Sequence, residues 1–345
     1  MNNPNKKILF LWTLRGLIKN LAKINIIDPG KKNNDLYVLL AQGLIEEKIV
    51  SHAELVWIDP GLEQKTVALK PGITILIFKN IAQAIKYFKG KKYDYLFVRG
   101  NYKEFAEISN ELIAEQKMFY AADPEYYPTF WPNNYFDLIF VDEKKQISAG
   151  KKIYKKSKIA ILDKPVNTKI FKPMKLKKKY DICYVANFIL WKNHQLLFSA
   201  LDKIPNSKKI KLICVGKAFG RESEINIAAW KYHVNLTLTG PMPADQVAKI
   251  INQSKFAIIA SEKDANPRTL NEAMACNVPV IVNSGLVGGT RAINSQTGII
   301  SRPEDLPKNI SWMIKNYKKF QPIKYCQKNL GLKKIINECF IKNLK

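Results

Sequence analysis

Short apolar runs recur along this chain, and stretches with helical spacing separate them. Strands that alternate with helices predict βαβ units, in which parallel sheets are covered on both faces. The first series is KILFLW (7–12), AELVWI (53–58), ITILIF (73–78), YDYLFVR (93–99), KMFYAA (117–122), FDLIFVD (136–142) and KIAIL (158–162). NIAQAIKYFKG (80–90) is a helix between two of them, with Gly90 as its cap. FKPMKLKKKYD (171–181) has a proline, a lysine run and no periodicity, which makes it the linker candidate. The alternation then restarts with DICYVA (181–186), IKLICVG (210–216), VNLTLTG (234–240), KFAIIAS (255–261) and VPVIVN (278–283). The expected architecture is two Rossmann-like, doubly wound α/β domains, 1–172 and 173–320. A helical tail, 321–345, returns toward the first. Ligands are expected at the carboxyl ends of the strands, in the cleft between the domains.

Composition narrows the functional classes. At 47% hydrophobic the chain can bury large cores. No apolar stretch reaches the roughly 20 residues that span a bilayer. The N-terminal MNNPNKKILFLW has too short an apolar run for a signal peptide and is expected to lead into the first strand. Five widely spaced cysteines and three histidines give no zinc spacing and fit reduced thiols in a cytoplasmic protein. The net charge of +27 comes almost wholly from lysine. It has two readings, an anionic partner or a lysine-rich coding bias spread over solvated faces. With no arginine cluster and no basic stripe interleaved with aromatics, nucleic acid is not the expected partner. Weak, salt-sensitive contact with anionic membranes is.

One stretch carries most of the chemistry: SEKDANPRTLNEAMACNVPVIVN, residues 261–283. It follows a buried strand. Asn266 or Asp264 can cap a helix in whose first turn Pro267 fits. Asn277 suits a left-handed cap, and Pro279 prevents continuation. The free N–H groups of such a helix start suit a phosphate. Carboxylates beside a phosphate would repel it, but they accept hydrogen bonds from sugar or ribose hydroxyls. A phosphate flanked by hydroxyls describes a sugar nucleotide. The plainer alternative is a capped helix with an exposed acid.

Here the sequence resembles a known family. Ser261, Asp264, Pro267, Glu272, AMAC (273–276), Asn277 and PVI (279–281) resemble the signature of retaining glycosyltransferases of the GT-B fold, family 4. KPVNTKIFKP (164–173), CYVANFILWKNHQLLFSAL (183–201), LICVGKAFG (212–220), LTGPMPADQVAKIINQSKFAIIAS (238–261) and GLVGGTRAINSQTGIISRPED (285–305) resemble further family segments, in the expected order. The resemblance covers residues 164 to 305. The first half of the chain shares only the alternation.

The resemblance implies transfer of a sugar from a nucleotide donor with retention at the anomeric carbon and without a required metal. Lys192 would neutralise the donor phosphates, Glu272 would bind the ribose and Asp264 the transferred sugar. Backbone N–H groups near Asn266, Arg268, Thr269 and Leu270 would face the diphosphate, and Asn187 lies beside it. Gly216 would let the backbone approach the nucleotide, and Gly240 to Met242 would flank the base. UDP- or GDP-sugars are the donors implied, with a glycan or lipid-linked acceptor on the first domain. Asp123 is the acceptor-side candidate, although an Asp before Pro124 also suits a turn. Arg15 and Arg99 end strands and could bind an anionic acceptor. The chain departs from the pattern at Asp264 (usually Glu), Asn187 (usually Arg), Asn277 (usually Gly) and Ala292 (usually Glu). It also lacks paired glycines after the first strand. Rival readings are an epimerase or phosphorylase of similar build, or a catalytically weak protein that only holds a sugar nucleotide.

Overall fold

A computed structural model describes residues 5–14, 34–100, 102–121, 131–132 and 134–344. The chain forms two compact units. One holds the described residues up to Pro165 together with those from Leu332 onward; the other is Val166–Gly331.

The first unit is built on an eight-stranded sheet in the order β3-β4-β2-β1-β5-β6-β7-β8. Its strands are β1 (Lys7–Leu14), β2 (His52–Ile58), β3 (Lys65–Lys70), β4 (Ile73–Phe78), β5 (Lys92–Arg99), β6 (Ile113–Ala121), β7 (Leu138–Val141) and β8 (Lys158–Ile161). All pairs are parallel except β3 with β4, a hairpin that turns at Pro71 and Gly72. The helices are α1 (Leu36–Glu46), α2 (Ile81–Phe88), α3 (Lys103–Glu111) and α4 (Lys144–Ile153). Side chains along β1 alternate between two cores, one for each face of the sheet. Ile8, Phe10 and Trp12 join one, while Leu9 and Leu11 join the other.

The second unit has a six-stranded, all-parallel sheet in the order β11-β10-β9-β12-β13-β14. Its strands are β9 (Tyr180–Val185), β10 (Lys211–Val215), β11 (Asn235–Thr239), β12 (Ser254–Ile259), β13 (Val280–Asn283) and β14 (Gly298–Ser301). Helices α5 (His194–Asp202), α6 (Glu222–Lys231) and α9 (Leu306–Asn316) share one core. Helices α7 (Ala244–Asn252), α8 (Arg268–Ala275) and α10 (Pro322–Asn329) share the other. Both units are therefore Rossmann-like and doubly wound, each with its first strand in the interior of its sheet.

The chain divides earlier than the lysine run suggested. Val166 and Phe171 are buried in the second unit's core. The run itself is anchored there: Met174 N donates to Asn252 Oδ1 (2.8 Å), and the Lys178 ammonium donates to the carbonyls of Asn252 (2.9 Å) and Ser254 (2.6 Å). The tail divides too. Cys326 and Leu330 belong to the second unit's core. Beyond them, α11 (Leu332–Ile335) and the wide turn Ile336–Ile341 pack in the first unit. The absent side chain of Gly43 on α1 makes room for them, since a Cβ there would lie 2.6 Å from Ile336 and 2.8 Å from Leu332.

Candidate functional site

The strand order locates the site. In the second unit β9 is bonded to β10 on one side and β12 on the other. The chain leaves β9 for α5 on one face and leaves β12 for α8 on the opposite face. Their loops part at the carboxyl edge, which is where doubly wound sheets hold ligands.

The loop after β9 is fixed first to its neighbour. Gly216, at the end of β10, permits this, because a Cβ there would lie 2.1 Å from the Ala186 carbonyl oxygen. Phe188 N donates to Lys217 O (2.9 Å), and Lys217 N donates to Asn187 Oδ1 (3.1 Å). The close approach at Gly216 is thus to Ala186, and the Asn187 carbonyl oxygen braces the loop after β10. Leu190–Lys192 then form one tight turn. Asn193 follows at φ 50°, a left-handed conformation that asparagine tolerates, and its Oδ1 caps α5 by accepting from Leu196 N (3.1 Å).

Four links tie this loop to the one after β12. Tyr184 OH donates to Lys192 O and lies 3.2 Å from Ser261 Oγ. Glu262 N donates to Trp191 O (3.2 Å). Asn193 Nδ2 donates to Glu262 Oε1 (2.6 Å). The Lys192 ammonium forms an ion pair with Asp264 Oδ2, each side chain being 18% exposed. A third loop joins through Gly288 N, which donates to Asp264 O (3.1 Å), and Gly289 (φ +89°) lies against Asn266 and Pro267.

Helix α8 starts differently from expectation. Neither Asn266 nor Asp264 caps it. Pro267 is itself the cap residue, and Arg268 opens the helix. Asn266 is buried and Asp264 is committed to Lys192. One turn on, Arg268 pairs with the buried Glu272 at 3.2 Å. Leu270 is a core residue, and Thr269 is partly exposed. Asn277 does adopt the left-handed conformation, at φ 58°.

Two acid–cation pairs therefore stand at the switch point, Lys192–Asp264 and Arg268–Glu272. His194 lies behind them. Its ring sits between those of Tyr184 (4.6 Å between centroids) and Phe188 (4.5 Å). Burial first, then the charges of Lys192 and Arg221, push its pKa down to about 3, so it is a neutral wall.

Other expected residues lie apart. Gly240 and Met242 follow β11, the outer strand, with β10 between it and β9. Gly240 is open to solvent, and Met242 packs on a core. Arg99 ends β5 in the first unit, its guanidinium 5.3 Å from the centre of the Tyr37 ring. Arg15 and Asp123 lie outside the described residues. The sequence reading missed Tyr184, Asn193 and Glu262 as the frame of the site. Strand alternation does point Tyr184 inward, where its hydroxyl must find a partner.

Comparison with known proteins agrees with this geometry. Residues 166–328 match the model of glycosyl transferases group 1. The match spans nearly the whole of the second unit, Val166–Gly331. No curated protein sequence matches the chain. Among solved structures, sucrose-phosphate synthase from Thermosynechococcus elongatus is similar over 96% of each chain, with a TM-score of 0.73 and 14% identity. A glycosyltransferase from Rickettsia africae is similar over 98% of each, with a TM-score of 0.67 and 15% identity. The Anabaena protein HepE, in complex with UDP and glucose, is similar over 96% of this chain and 97% of its own, with a TM-score of 0.67 and 12% identity. At these identities the likeness is one of fold, and the fold is GT-B.

Proposed function

We propose that the protein moves a sugar from a nucleotide-sugar donor to a glycan or lipid-linked acceptor, with retention at the anomeric carbon. The observation that carries this reading is the pair of acid–cation contacts at the switch point. Each cation is matched by a carboxylate, Lys192 by Asp264 and Arg268 by Glu272. A donor diphosphate offers these cations stronger partners. Once drawn to phosphate, Lys192 leaves Asp264 free to accept from hydroxyls of the transferred sugar, and Arg268 leaves Glu272 free for the ribose. The acids beside the phosphate site are then hydroxyl acceptors held in check until the donor arrives. Backbone N–H groups of Arg268 and Thr269 at the start of α8 complete the diphosphate cradle, whereas Leu270 N already donates to Pro267 O (3.1 Å).

In this mechanism the protein mostly positions groups and stabilises charge. The donor phosphate itself takes the acceptor proton. Lys192 and Arg268 supply the positive charge, so the reading requires no metal. HepE, bound to UDP and glucose, favours a uridine carrier over a guanosine one. Asp123, Arg15 and Arg99 are the acceptor-side candidates on the first unit. The lysine excess brings the protein to anionic membranes, where a lipid-linked acceptor in polysaccharide assembly would lie.

Titration of UDP and GDP by calorimetry into the protein and its Lys192→Ala and Glu272→Ala variants tests the donor site. The reading expects sugar-nucleotide affinity to fall in both variants. Unchanged affinity in both would reject the assignment. A second reading, a binder with little turnover, is favoured by the shorter acid at 264 and by the engagement of the Asn187 oxygen with Lys217. Release of free nucleotide from donor, with and without an acceptor extract, separates the two.

A further inference from the structure

Helix α6 needs only one face to fold. Ile225 and Ala229 enter the core, and Ala228 lies half-buried beside them. On the outer face Ile227 is 64% exposed and Trp230 is 81% exposed. Three residues apart, they are neighbours on the helix surface. Trp230 lines a surface hollow with Lys208, Lys231, His233 and Asn235. On the helix's other side Leu190, 79% exposed, borders a pocket with Arg221, Glu224 and Ala228. Its neighbour Trp191 is half exposed. The acids of α6 sit at its first turn, away from Trp230, and Glu224 is paired with Arg221 at 2.9 Å.

We infer that this face of the second unit, Ile227 and Trp230 with Lys208 and Lys231, docks on an anionic lipid surface. Tryptophan settles at the headgroup level of a bilayer, where its ring is apolar and its N–H is wet. Neighbouring lysines add attraction to anionic headgroups. The patch is narrow, two apolar side chains on one helix. A protein partner needs about 800 Å² from each side for a stable interface. A bilayer needs only a few inserted side chains with basic neighbours. The net charge of +27 matches the sign of the lipid. Among the described residues no helix is long and apolar enough to cross a membrane, so the contact is interfacial. The inference rests on the membrane part of the proposed function and gives it a location.

The test uses the full chain and vesicles of phosphatidylcholine with or without phosphatidylglycerol, at low and high salt, with no donor or acceptor present. The protein is expected to sediment with the anionic vesicles at low salt only. Ile227→Ser/Trp230→Ser and, separately, Lys208→Glu/Lys231→Glu should each reduce binding about tenfold. Calorimetric titration of UDP on the same preparations should be unchanged, because these side chains lie outside the donor site. If the apolar double variant sediments as the parent does, the charge alone acts and the surface is wrongly placed. If the parent instead forms dimers that this variant abolishes, the face is a protein interface and the inference falls. A parent protein that binds UDP but does not sediment with anionic vesicles rejects this surface alone, whereas failure of the parent to bind any nucleotide rejects the transferase reading.

Discussion

Each unit carries a lysine–carboxylate pair at the carboxyl edge of its sheet, and the two pairs are built differently. In the first unit Asp142, just past β7, is fully buried. Its Oδ1 accepts from Tyr120 OH (2.8 Å) and lies 3.4 Å from the Lys164 ammonium. In the second unit Lys192 and Asp264 keep about a fifth of each side chain in contact with solvent. A buried pair is costly to separate, because each charge left alone has lost its water. A pair that keeps some solvent on both partners costs less to separate than one whose carboxylate is fully buried. Depth thus separates the pair fixed in the fold from the pair that the proposed mechanism has a donor open.

The largest expected effect breaks the buried pair. Lys164→Met removes the Lys164 ammonium from the buried Asp142 carboxylate and should cost about 3 kcal/mol of stability. Denaturant melts would show this, while UDP affinity stays unchanged. If the melt does not move, Asp142 and Lys164 are no lock. Next comes the exchangeable pair. Asp264→Asn should lower turnover by about 100-fold, one charge-assisted hydrogen bond lost in the transition state, at near-parental stability. Asp264→Glu should keep activity, since the longer acid reaches the same hydroxyls.

A smaller effect concerns His194. The folded protein keeps it neutral to about pH 3, whereas the unfolded chain binds its proton near pH 6.5. Stability is therefore fully present above pH 6.5 and falls as pH drops toward 3. By pH 5 the loss from this group is about 2 kcal/mol. His194→Phe should remove that part of the slope between pH 7 and pH 5. Equal slopes in the two proteins would show that the imidazole is not held neutral. The smallest change is Glu262→Gln, expected to alter turnover less than about threefold. Its side-chain carbonyl still accepts from Asn193, so the clamp loses charge but keeps its hydrogen bond.

Much of the fold was legible because buried parallel strands announce themselves as apolar runs. The exceptions have physical causes. β3 (KTVALK) is an exposed edge strand with lysines at both ends, the composition that keeps an edge from pairing further. β14 (GIIS) has four residues and opens on Gly298, where a Cβ would lie 2.0 Å from the Val280 carbonyl oxygen. The boundary at Pro165 was hidden because a lysine run looks like a linker even when its backbone is pinned to Asn252. Within the site, Lys192 and Asp264 could be read from motif and spacing. Their pairing could not, nor could the Asn193–Glu262 clamp, whose partners lie 72 and 69 residues apart. Those contacts exist because β9 lies next to β12, and alternation alone does not reveal strand order. The start of α8 was misplaced because a sequence shows which residues can cap a helix, not which are committed elsewhere.

The central claim is that Asp264 restrains Lys192 until a diphosphate arrives. Calorimetric titration of UDP, without its sugar, into the parent protein and Asp264→Asn tests it most directly. With the restraint gone, Lys192 is free for phosphate, and the variant should bind UDP about threefold tighter or better, although its turnover is lower. Weaker UDP binding by Asp264→Asn would contradict the account, because the carboxylate would then be holding Lys192 in place for the phosphate instead of away from it.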